Sequence, residues 1–367
     1  MVAFGEPWPE FNAGICYRDL IRRSDSGATL IEFYSRRYKS SAPLHGWLQR
    51  IHNKQITIDG CVVTDPDAIT REGAELVYHR LPWKEPDAPY LLEILYEDND
   101  VIALNKPSGL QVLPGGLFQQ RTVLTQLQRH AGNLEVSGCQ EPHPVPAHRL
   151  GRGTSGVLLC AKTKLAKCRL AAFFADGTSV VGVSRNNDPL QKTTRSITKL
   201  YRALASGVIL EDEVVIDHPI GLVKYPGVAQ GLYVASPSGK PALSKVTVLE
   251  RNERSNSTLV QVEIKSGRPH QIRIHLSFIG HPLVDDPLYG TDGQPKYTDH
   301  EIINESFGQD GGYERPEKPV PGDCGYHLHA HRIAFAHPAT NEIIDIIAPL
   351  PHILRLLGES SKAEEGM

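Results

Sequence analysis

The sequence predicts an α+β protein with a mixed, largely antiparallel sheet and few helices. From Leu91 onward, short apolar runs bounded by turn residues follow one another, and only three stretches have helical spacing. Strands that are neighbours in sequence and lack crossover helices pair mostly antiparallel, which argues against a fold built on a parallel sheet. The 367 residues, 40% of them hydrophobic, are enough for two domains and a large buried core.

The first domain is predicted at residues 28–80, between an N-terminal extension (1–27) and a linker (81–90). Apolar residues at helical spacing come first, and strand-like residues follow around a turn at Asp59-Gly60: Leu30, Phe33, Tyr34, Trp47, Leu48, Ile51, Ile56, Ile58, Val62 and Val63. This pattern is typical of a small α/β module. The linker, LPWKEPDAPY, is rich in proline and charge and marks the domain boundary.

Residues 91–357 are predicted to form the second domain, and residues 358–367 a disordered tail. Beside two strands around the turn at 98–100, we expect strands at 157–160, 201–206, 246–250, 259–265, 333–335 and 343–348. Helices are expected at 122–130, 165–174 and 270–278. Loops are expected at 176–196, 212–239 and 290–325.

Positive charge is concentrated in two stretches although the net charge is −3. The segment from 148 to 169 has no acid and six basic residues: Arg149, Arg152, Lys162, Lys164, Lys167 and Arg169. A second acid-free stretch contains Lys192, Arg195, Lys199 and Arg202. Local potential sets the affinity for phosphates, so both stretches are candidate nucleic-acid contacts, with a solvated surface as the alternative.

Composition excludes several classes of protein. The six cysteines are scattered without a CxxC pair, which favours reduced thiols inside the cell over a disulfide framework. No apolar run reaches the roughly 20 residues of a membrane span. The first thirty residues carry four acids, unlike a secretory signal or a transit peptide. We expect a cytoplasmic or nuclear protein without a membrane partner.

One segment carries a specific motif, because residues 148–162 read HRLGRGTSGVLLCAK. It resembles the HRLD-x-x-TSG-x-x-x-x-AK motif of the RluA-type RNA pseudouridine synthases. Four more blocks resemble this family in the same order: ILYEDNDVIALNKPSGLQVLPG (94–115), TKLYRALASG (198–207), SGRPHQIRIHLSFIGHPLVDDPLYG (266–290) and LHAHRIAFAHPAT (328–340). The resemblance implies a pseudouridine-synthase fold with a bent mixed sheet, RNA bound across a basic cleft, and no cofactor.

The motif departs from the family at the position that carries the chemistry. Making pseudouridine breaks the N1–C1′ bond of uridine and rejoins the uracil through C5, which needs a carboxylate as nucleophile or base. The family's carboxylate follows HRL, and here that position is Gly151. No acid lies in residues 142–175, so a substitute would have to be Glu141, Asp285 or Asp286. The resemblance gives Asp286 a structural role and places Asp285 where the family has glycine.

Three other positions match active-site residues of the family. The resemblance assigns Arg149 to the space that an unstacked base vacates, with a surface ion pair as the alternative. Tyr201 matches the tyrosine that stacks on the flipped base and can pass its proton, unless it is a half-buried strand residue. Arg273 matches the arginine that pairs with the catalytic Asp. Without that partner, we expect an uncompensated charge in the pocket, or a phosphate contact.

The first domain resembles an S4 RNA-binding module. QITIDG lies where that module has a strand, and the Gly73 turn lies where the module ends. An unrelated α/β cap is the alternative. With Arg152 of the second domain, the candidate RNA contacts are Arg36, Arg37, Arg50 and Lys54.

Two further patterns resemble known sites but lack their context. GRGTSG at 151–156 satisfies G-x-G-x-x-G, yet prolines precede it and the strand-like VLLC follows, so no nucleotide cofactor is expected. A strand would put His327, His329 and His331 on one face, and with Cys324 they could bind zinc, although such histidines also pack and hydrogen-bond in the resembled strand. No metal is expected.

Two functions remain open after this comparison. The first is an RNA pseudouridine synthase acting on structured RNA, ribosomal or transfer, which the retained Arg149, Tyr201 and Arg273 favour. The alternative is a catalytically silent RNA-binding protein of the same fold, which Gly151 favours. In either case we expect a monomer. A nucleotide-dependent oxidoreductase, a third possibility, would bind NAD, and we expect no such binding.

Overall fold

The structure is a computed structural model that describes residues 2–39, 41–134, 143–179, 197–225, 228–296, 307–316, 324–356 and 358–359. Its α-helices are α1 (Leu30–Arg37), α2 (Leu44–His52), α3 (Val123–Leu134), α4 (Lys164–Ser179) and α5 (Gln271–Phe278), and short 3-10 helices lie at Arg23–Asp25 and His352–Leu354. None of the helices in these ranges is long and apolar enough to cross a membrane. The strands are β1 (Ala3–Phe4), β2 (Ile15–Leu20), β3 (Ile56–Ile58), β4 (Cys61–Val62), β5 (Glu75–Arg80), β6 (Leu92–Glu97), β7 (Val101–Lys106), β8 (Val145–Pro146), β9 (Ser155–Ala161), β10 (Ile197–Ser206), β11 (Glu213–Ile216), β12 (Ile220–Tyr225), β13 (Val228–Ala235), β14 (Ser244–Asn252), β15 (Ser257–Ile264), β16 (Phe307–Gln309), β17 (Glu314–Pro316), β18 (Leu328–Ala336) and β19 (Ile343–Ile347).

Within the described residues, eleven strands form one large sheet in the order β1-β6-β7-β9-β18-β10-β15-β14-β11, with β8 beside β9 and β19 beside β18. Its pairings are antiparallel except for the parallel pair of β9 and β18. The predicted α+β class with a mixed, largely antiparallel sheet is therefore confirmed. The strand that follows the HRLG segment lies in the middle of this sheet.

Strand β9 is buried on both faces, which explains its unbroken apolar run. Leu158 and Cys160 face a cluster that contains residues of α3 and α5. The alternate residues Val157, Leu159 and Ala161 face a second cluster that contains residues of α4. Side chains alternate between the faces of a strand, so helices on both sides require apolar residues at every position. The chain just before β9 is thereby held against the centre of the sheet.

The N-terminal module contains two helices and a sheet in the order β2-β5-β3-β4. Helix α1 begins with a capping box, in which the Thr29 and Glu32 side chains accept hydrogen bonds from each other's backbone N–H groups. Residues 1–27 are not a separate extension, because β2 pairs with β5 of the module and β1 pairs with β6 of the large sheet.

The predicted linker at 81–90 is anchored by buried side chains. Trp83 is buried, and its indole N–H donates to the Leu117 carbonyl at 3.0 Å. The buried carboxylate of Glu85 accepts hydrogen bonds from the successive backbone N–H groups of residues 119–121. These contacts tie the segment to the loop before α3.

The prediction of a loop at 212–239 is wrong, because three strands lie within it. Strand β11 pairs with β14 at the edge of the large sheet, while β12 and β13 form a hairpin. Apolar residues of this hairpin pack with Ile274 of α5 and with Tyr289. The loops predicted at 176–196 and 290–325 lie partly outside the described residues, which here include the end of α4 and the hairpin of β16 and β17. Of the predicted tail, Gly358 and Glu359 are described, and Glu359 pairs with Arg202.

Asp310, between β16 and β17, joins this hairpin to the N-terminal module. Its carboxylate pairs with the guanidinium of Arg80 and lies 3.8 Å from that of Arg50, and all three side chains are buried. Gln55 Nε2 donates to the Gly311 carbonyl at 2.7 Å. Buried guanidinium groups are stable only with a counter-charge. Two buried guanidinium groups of the module therefore share one counter-charge, which comes from a residue that follows α5.

We predict that Asp310→Asn destabilises the protein by about 3–5 kcal/mol, because two buried guanidinium groups lose their counter-charge. Urea unfolding followed by circular dichroism measures the change. As a matched control, Glu75→Gln neutralises the exposed Arg18–Glu75 pair and should cost about 1 kcal/mol or less. Equal effects of the two substitutions would contradict the importance of burial at Asp310.

Candidate active site

The HRLG segment forms a tight turn that a neighbouring loop fastens to the sheet. The Thr154 backbone N–H donates to the Gly151 carbonyl at 3.0 Å. From the end of β7, the buried ammonium of Lys106 donates to the Arg152 carbonyl at 3.1 Å, and the Ser108 hydroxyl donates to the Gly153 carbonyl at 2.7 Å. The backbone of residues 151–154 is therefore fixed before any substrate binds.

Lys106 was not among the site residues predicted from sequence. Its ammonium also donates to the carbonyls of Pro107 and Leu110, both at 2.8 Å. A signal was present, since Lys106 ends an apolar strand and precedes the Pro-Ser-Gly turn. A lysine in that position is well placed to satisfy carbonyls where the strand ends.

Gly151 is exposed, and its backbone does not require glycine, because its φ is not in the left-handed region. A Cβ atom at this position would come within 2.9 Å of the Tyr326 hydroxyl and 3.3 Å of the Thr154 hydroxyl. Those two hydroxyls are hydrogen-bonded to each other at 3.2 Å. The space beside residue 151 is thus occupied by hydroxyl groups, an arrangement that none of the sequence motifs predicts.

The expectation that Arg273 carries an uncompensated charge is wrong. Its Nε and Nη2 atoms donate to the two carboxylate oxygens of Asp286, each at 2.7 Å. Both side chains are buried, so Arg273 is not placed to bind a phosphate either. The Arg273 Nη1 atom is buried without a hydrogen-bond partner among the described residues, and the guanidinium lies 4.2 Å from the centroid of the Tyr326 ring.

The acids proposed as substitutes lie in different environments. Burial alone would raise the pKa of Asp286, but the hydrogen bonds and charge of Arg273 and two backbone N–H groups hold it below its usual value. Asp286 is therefore an ionised structural partner, as the resemblance implied. Asp285 has a left-handed φ of 58° and a side chain that is 72% exposed, 3.7 Å from His327. Glu141 lies outside the described residues.

Tyr201 lies on β10, between Val262 of β15 and Ala330 of β18. The register with β18 shifts between Leu200 and Tyr201, so the strand is irregular at this residue. Burial raises the pKa of Tyr201 to about 12, and its hydroxyl is therefore neutral at physiological pH.

The basic surface near this turn is smaller than the sequence indicated. Arg149, Lys164 and Lys167 are exposed, and the Arg152 guanidinium lies 4.9 Å from the centroid of the Phe118 ring. The other basic residues of this stretch are engaged, since Lys162 pairs with Glu97 and Arg169 donates to Pro338 and Asn341. In the second stretch, Lys199 and Arg202 are buried, while Lys192 and Arg195 lie outside the described residues.

In the N-terminal module, the prediction that Arg50 contacts RNA is wrong. Arg50 is fully buried, and its guanidinium lies 4.8 Å from the centroid of the Trp47 ring and near Asp310. Arg36 and Arg37 are more exposed but both pair with Asp25. Lys54 is exposed at a left-handed turn with a φ of 60°.

The histidines of β18 make hydrogen bonds within the sheet. His329 Nδ1 lies 2.8 Å from the Ser155 hydroxyl, and His331 Nδ1 lies 3.1 Å from the Ala348 carbonyl. Burial lowers the pKa of His329 to about 4, so its ring is neutral at physiological pH. Among the described residues, no three His, Cys, Asp or Glu side chains come together as a metal site.

Comparison with known proteins identifies the family. A family model described as RNA pseudouridylate synthase matches residues 100–278. RNA pseudouridine synthase 5 of Oryza sativa subsp. japonica is 65% identical over 97% of this chain and 91% of its own length. The Arabidopsis thaliana protein of the same name is 63% identical over 96% of each chain. Ribosomal large subunit pseudouridine synthase D of Pseudomonas aeruginosa is 32% identical over 89% of this chain and 90% of its own length.

The chain therefore belongs to the RluA-type family of RNA pseudouridine synthases, the isomerases that convert uridine in RNA to pseudouridine.

We predict that Asp286→Asn destabilises the protein by about 3–5 kcal/mol at neutral pH, because Arg273 is left buried without a counter-charge. The folded-state pKa of Asp286 is lowered, so its contribution is present above the unfolded pKa and declines as the pH falls through the folded value. The gap between wild type and variant should therefore narrow below about pH 4.

Urea unfolding at pH 7 and at pH 3 measures this gap. The control is Asp345→Asn, which breaks the half-exposed Arg332–Asp345 pair and should cost about 1 kcal/mol or less at pH 7. A gap for Asp286→Asn that does not change with pH would contradict an ionised Asp286.

Proposed function

We propose that this chain isomerises uridine to pseudouridine in structured RNA without a cofactor. The observation that carries the proposal is the set of fixed groups at and near the turn of residue 151. The turn is fastened by Lys106, Arg273 is held by Asp286, and Tyr201 lies on the central strand β10. A site that must hold a base while its glycosidic bond is broken benefits from such fixed groups.

RNA capture is assigned to the exposed basic residues beside the turn. Arg149 is exposed two residues before Gly151, where it can enter the space that an unstacked uridine leaves. Lys164 and Lys167, exposed on α4, are suited to phosphate contacts. In the N-terminal module, which we propose acts as an S4-like aid to RNA capture, Lys54, Arg36 and Arg37 remain candidates.

Ribosomal or transfer RNA is the proposed target. The bacterial relative named for the ribosomal large subunit supports ribosomal RNA. We further propose that the protein acts as a monomer, in the cytoplasm or the nucleus.

Gly151 supports a second candidate function, an RNA-binding protein that does not isomerise. Glycine provides neither a nucleophile nor a base, Asp286 is committed to Arg273, and the side chain of Asp285 points largely into solvent. In this alternative, the pocket would hold an unstacked base without cleaving its bond.

We predict that the wild-type protein forms pseudouridine in unmodified transcripts of cellular RNA. Pseudouridine mapping beside a Gly151→Asp variant measures this activity, and thermal unfolding and RNA-binding curves verify that both proteins are folded and bind. Activity of Gly151→Asp alone would establish the RNA-binding alternative. Loss of activity in both proteins, despite normal folding and binding of the same RNA, would refute the isomerase.

We also predict that Arg149→Ala lowers the isomerisation rate by at least about tenfold, because unstacking a base costs a few kcal/mol that its side chain helps to offset. By contrast, Lys164→Ala should mainly weaken RNA binding. It should also reduce the slope of the logarithm of the dissociation constant against the logarithm of salt concentration, by about the amount expected for one phosphate contact. Lys245→Ala, which removes an exposed charge paired with Glu213, is the control. Binding and single-turnover rates at two salt concentrations separate these effects. If Arg149→Ala behaved like Lys245→Ala, the role of Arg149 would be refuted.

A further inference from the structure

The hydroxyl of Tyr326 lies in the space that a side chain at position 151 would use. A Cβ atom there would come within 2.9 Å of the Tyr326 Oη atom. The carboxylate oxygens of an aspartate lie about 2.4 Å from its own Cβ, by standard bond lengths. The distance from the Cβ position of residue 151 to the phenolic oxygen is therefore similar to the distance from Cβ to a carboxylate oxygen in an aspartate.

This phenolic oxygen is held in a fixed position. The Tyr326 side chain is buried in the cluster that contains Leu328 and Ala330 of β18. Its Oη lies 3.2 Å from Oγ1 of the buried Thr154. Gly151, immediately beside it, is exposed. A ribose bound over the turn at Gly151 would thus approach the Tyr326 oxygen from the exposed side of Gly151.

Arg273 places a positive charge next to the same ring. Its guanidinium lies 4.2 Å from the ring centroid of Tyr326, and its Nη1 atom has no hydrogen-bond partner among the described residues. A fixed charge in a buried site stabilises negative charge that develops beside it during a reaction. Arg273 is thus positioned to stabilise a phenolate at Tyr326 while its own charge is balanced by Asp286.

We propose that Tyr326 replaces the missing carboxylate as the nucleophile of the isomerisation, an inference that rests on the proposed function. Tyrosine is a known nucleophile in glycoside chemistry. The Oη atom attacks C1′ and forms an O–C1′ bond while the N1–C1′ bond breaks. The electron pair of the broken bond leaves on N1, and the phenolic proton passes through the Thr154 hydroxyl to N1.

The second half of the reaction restores the tyrosine. After the uracil has rotated, C5 attacks C1′ and the electron pair of the O–C1′ bond returns to the phenolic oxygen. The proton that C5 releases goes to that oxygen. The products are pseudouridine and an unchanged Tyr326, so atoms and charges balance and no further reactant is consumed.

The experiment compares four proteins in single-turnover pseudouridine formation on the same unmodified transcripts of cellular RNA. Tyr326→Phe removes only the hydroxyl, and Gly151→Asp/Tyr326→Phe adds a carboxylate where that hydroxyl was. Tyr289→Phe is the matched control, because the Arg273 guanidinium also lies 5.0 Å from the centroid of the Tyr289 ring. The Tyr289 hydroxyl, however, donates to the Tyr233 carbonyl. RNA affinity is measured for each protein by filter binding.

We expect Tyr326→Phe to lower the maximal rate by at least about a hundredfold while RNA affinity stays within about threefold. The double variant should regain activity, because loss of the hydroxyl removes the close approach to a side chain at position 151. Tyr289→Phe should keep most of the wild-type rate.

Tyr326→Phe with a near wild-type rate would overturn the inference and leave the proposed function intact. An equal loss in Tyr289→Phe would also overturn it, because the effect would then be general to the packing around Arg273. A wild type without activity, beside an active double variant, would overturn the isomerase function itself.

Discussion

The buried ion pair of Arg273 and Asp286 determines the geometry of the pocket. Taking two charges out of water is costly unless their hydrogen bonds are satisfied, and Asp286 accepts four, two from Arg273 and one each from the backbone N–H groups of Leu288 and Tyr289. The pair thus links α5 to the turn at 286–289. It also fixes the guanidinium against the ring of Tyr326, whose hydroxyl lies beside Gly151.

Regular elements could be predicted because they follow local patterns, whereas the errors concern contacts between distant residues. The run VLLCA in β9 predicts a strand by its apolar character alone. The buried position of Arg50 depends on Asp310, which is 260 residues away, and no local pattern indicates it. The prediction of a loop at the hairpin of β12 and β13 is wrong because Gly221 and Gly231 interrupt its short alternating runs and Pro226-Gly227 separates them in the sequence.

The candidate site was predicted in composition but not in arrangement. Arg149, Gly151, Tyr201 and Arg273 were found from the family blocks, because each lies within a motif. The partner of Arg273 was predicted wrongly, since the sequence cannot tell that both oxygens of Asp286 are used by one guanidinium. Tyr326 was missed because it precedes its block and approaches residue 151 only through the pairing of β9 with β18.

The charge balance of the site depends on whether the attacking group is a carboxylate at position 151 or the phenol of Tyr326. A carboxylate there would be a second negative charge, besides Asp286, near the single guanidinium of Arg273. A phenol is neutral at rest, so Asp286 alone balances Arg273 until a reaction begins. Negative charge on Tyr326 would then develop only as the phenolic proton leaves during the attack, beside the guanidinium of Arg273, which lies 4.2 Å from the ring centroid. An interaction that strengthens only in the transition state raises the rate without tightening ground-state binding. Glycine at position 151 is therefore compatible with catalysis as long as the Tyr326 oxygen takes over the attack.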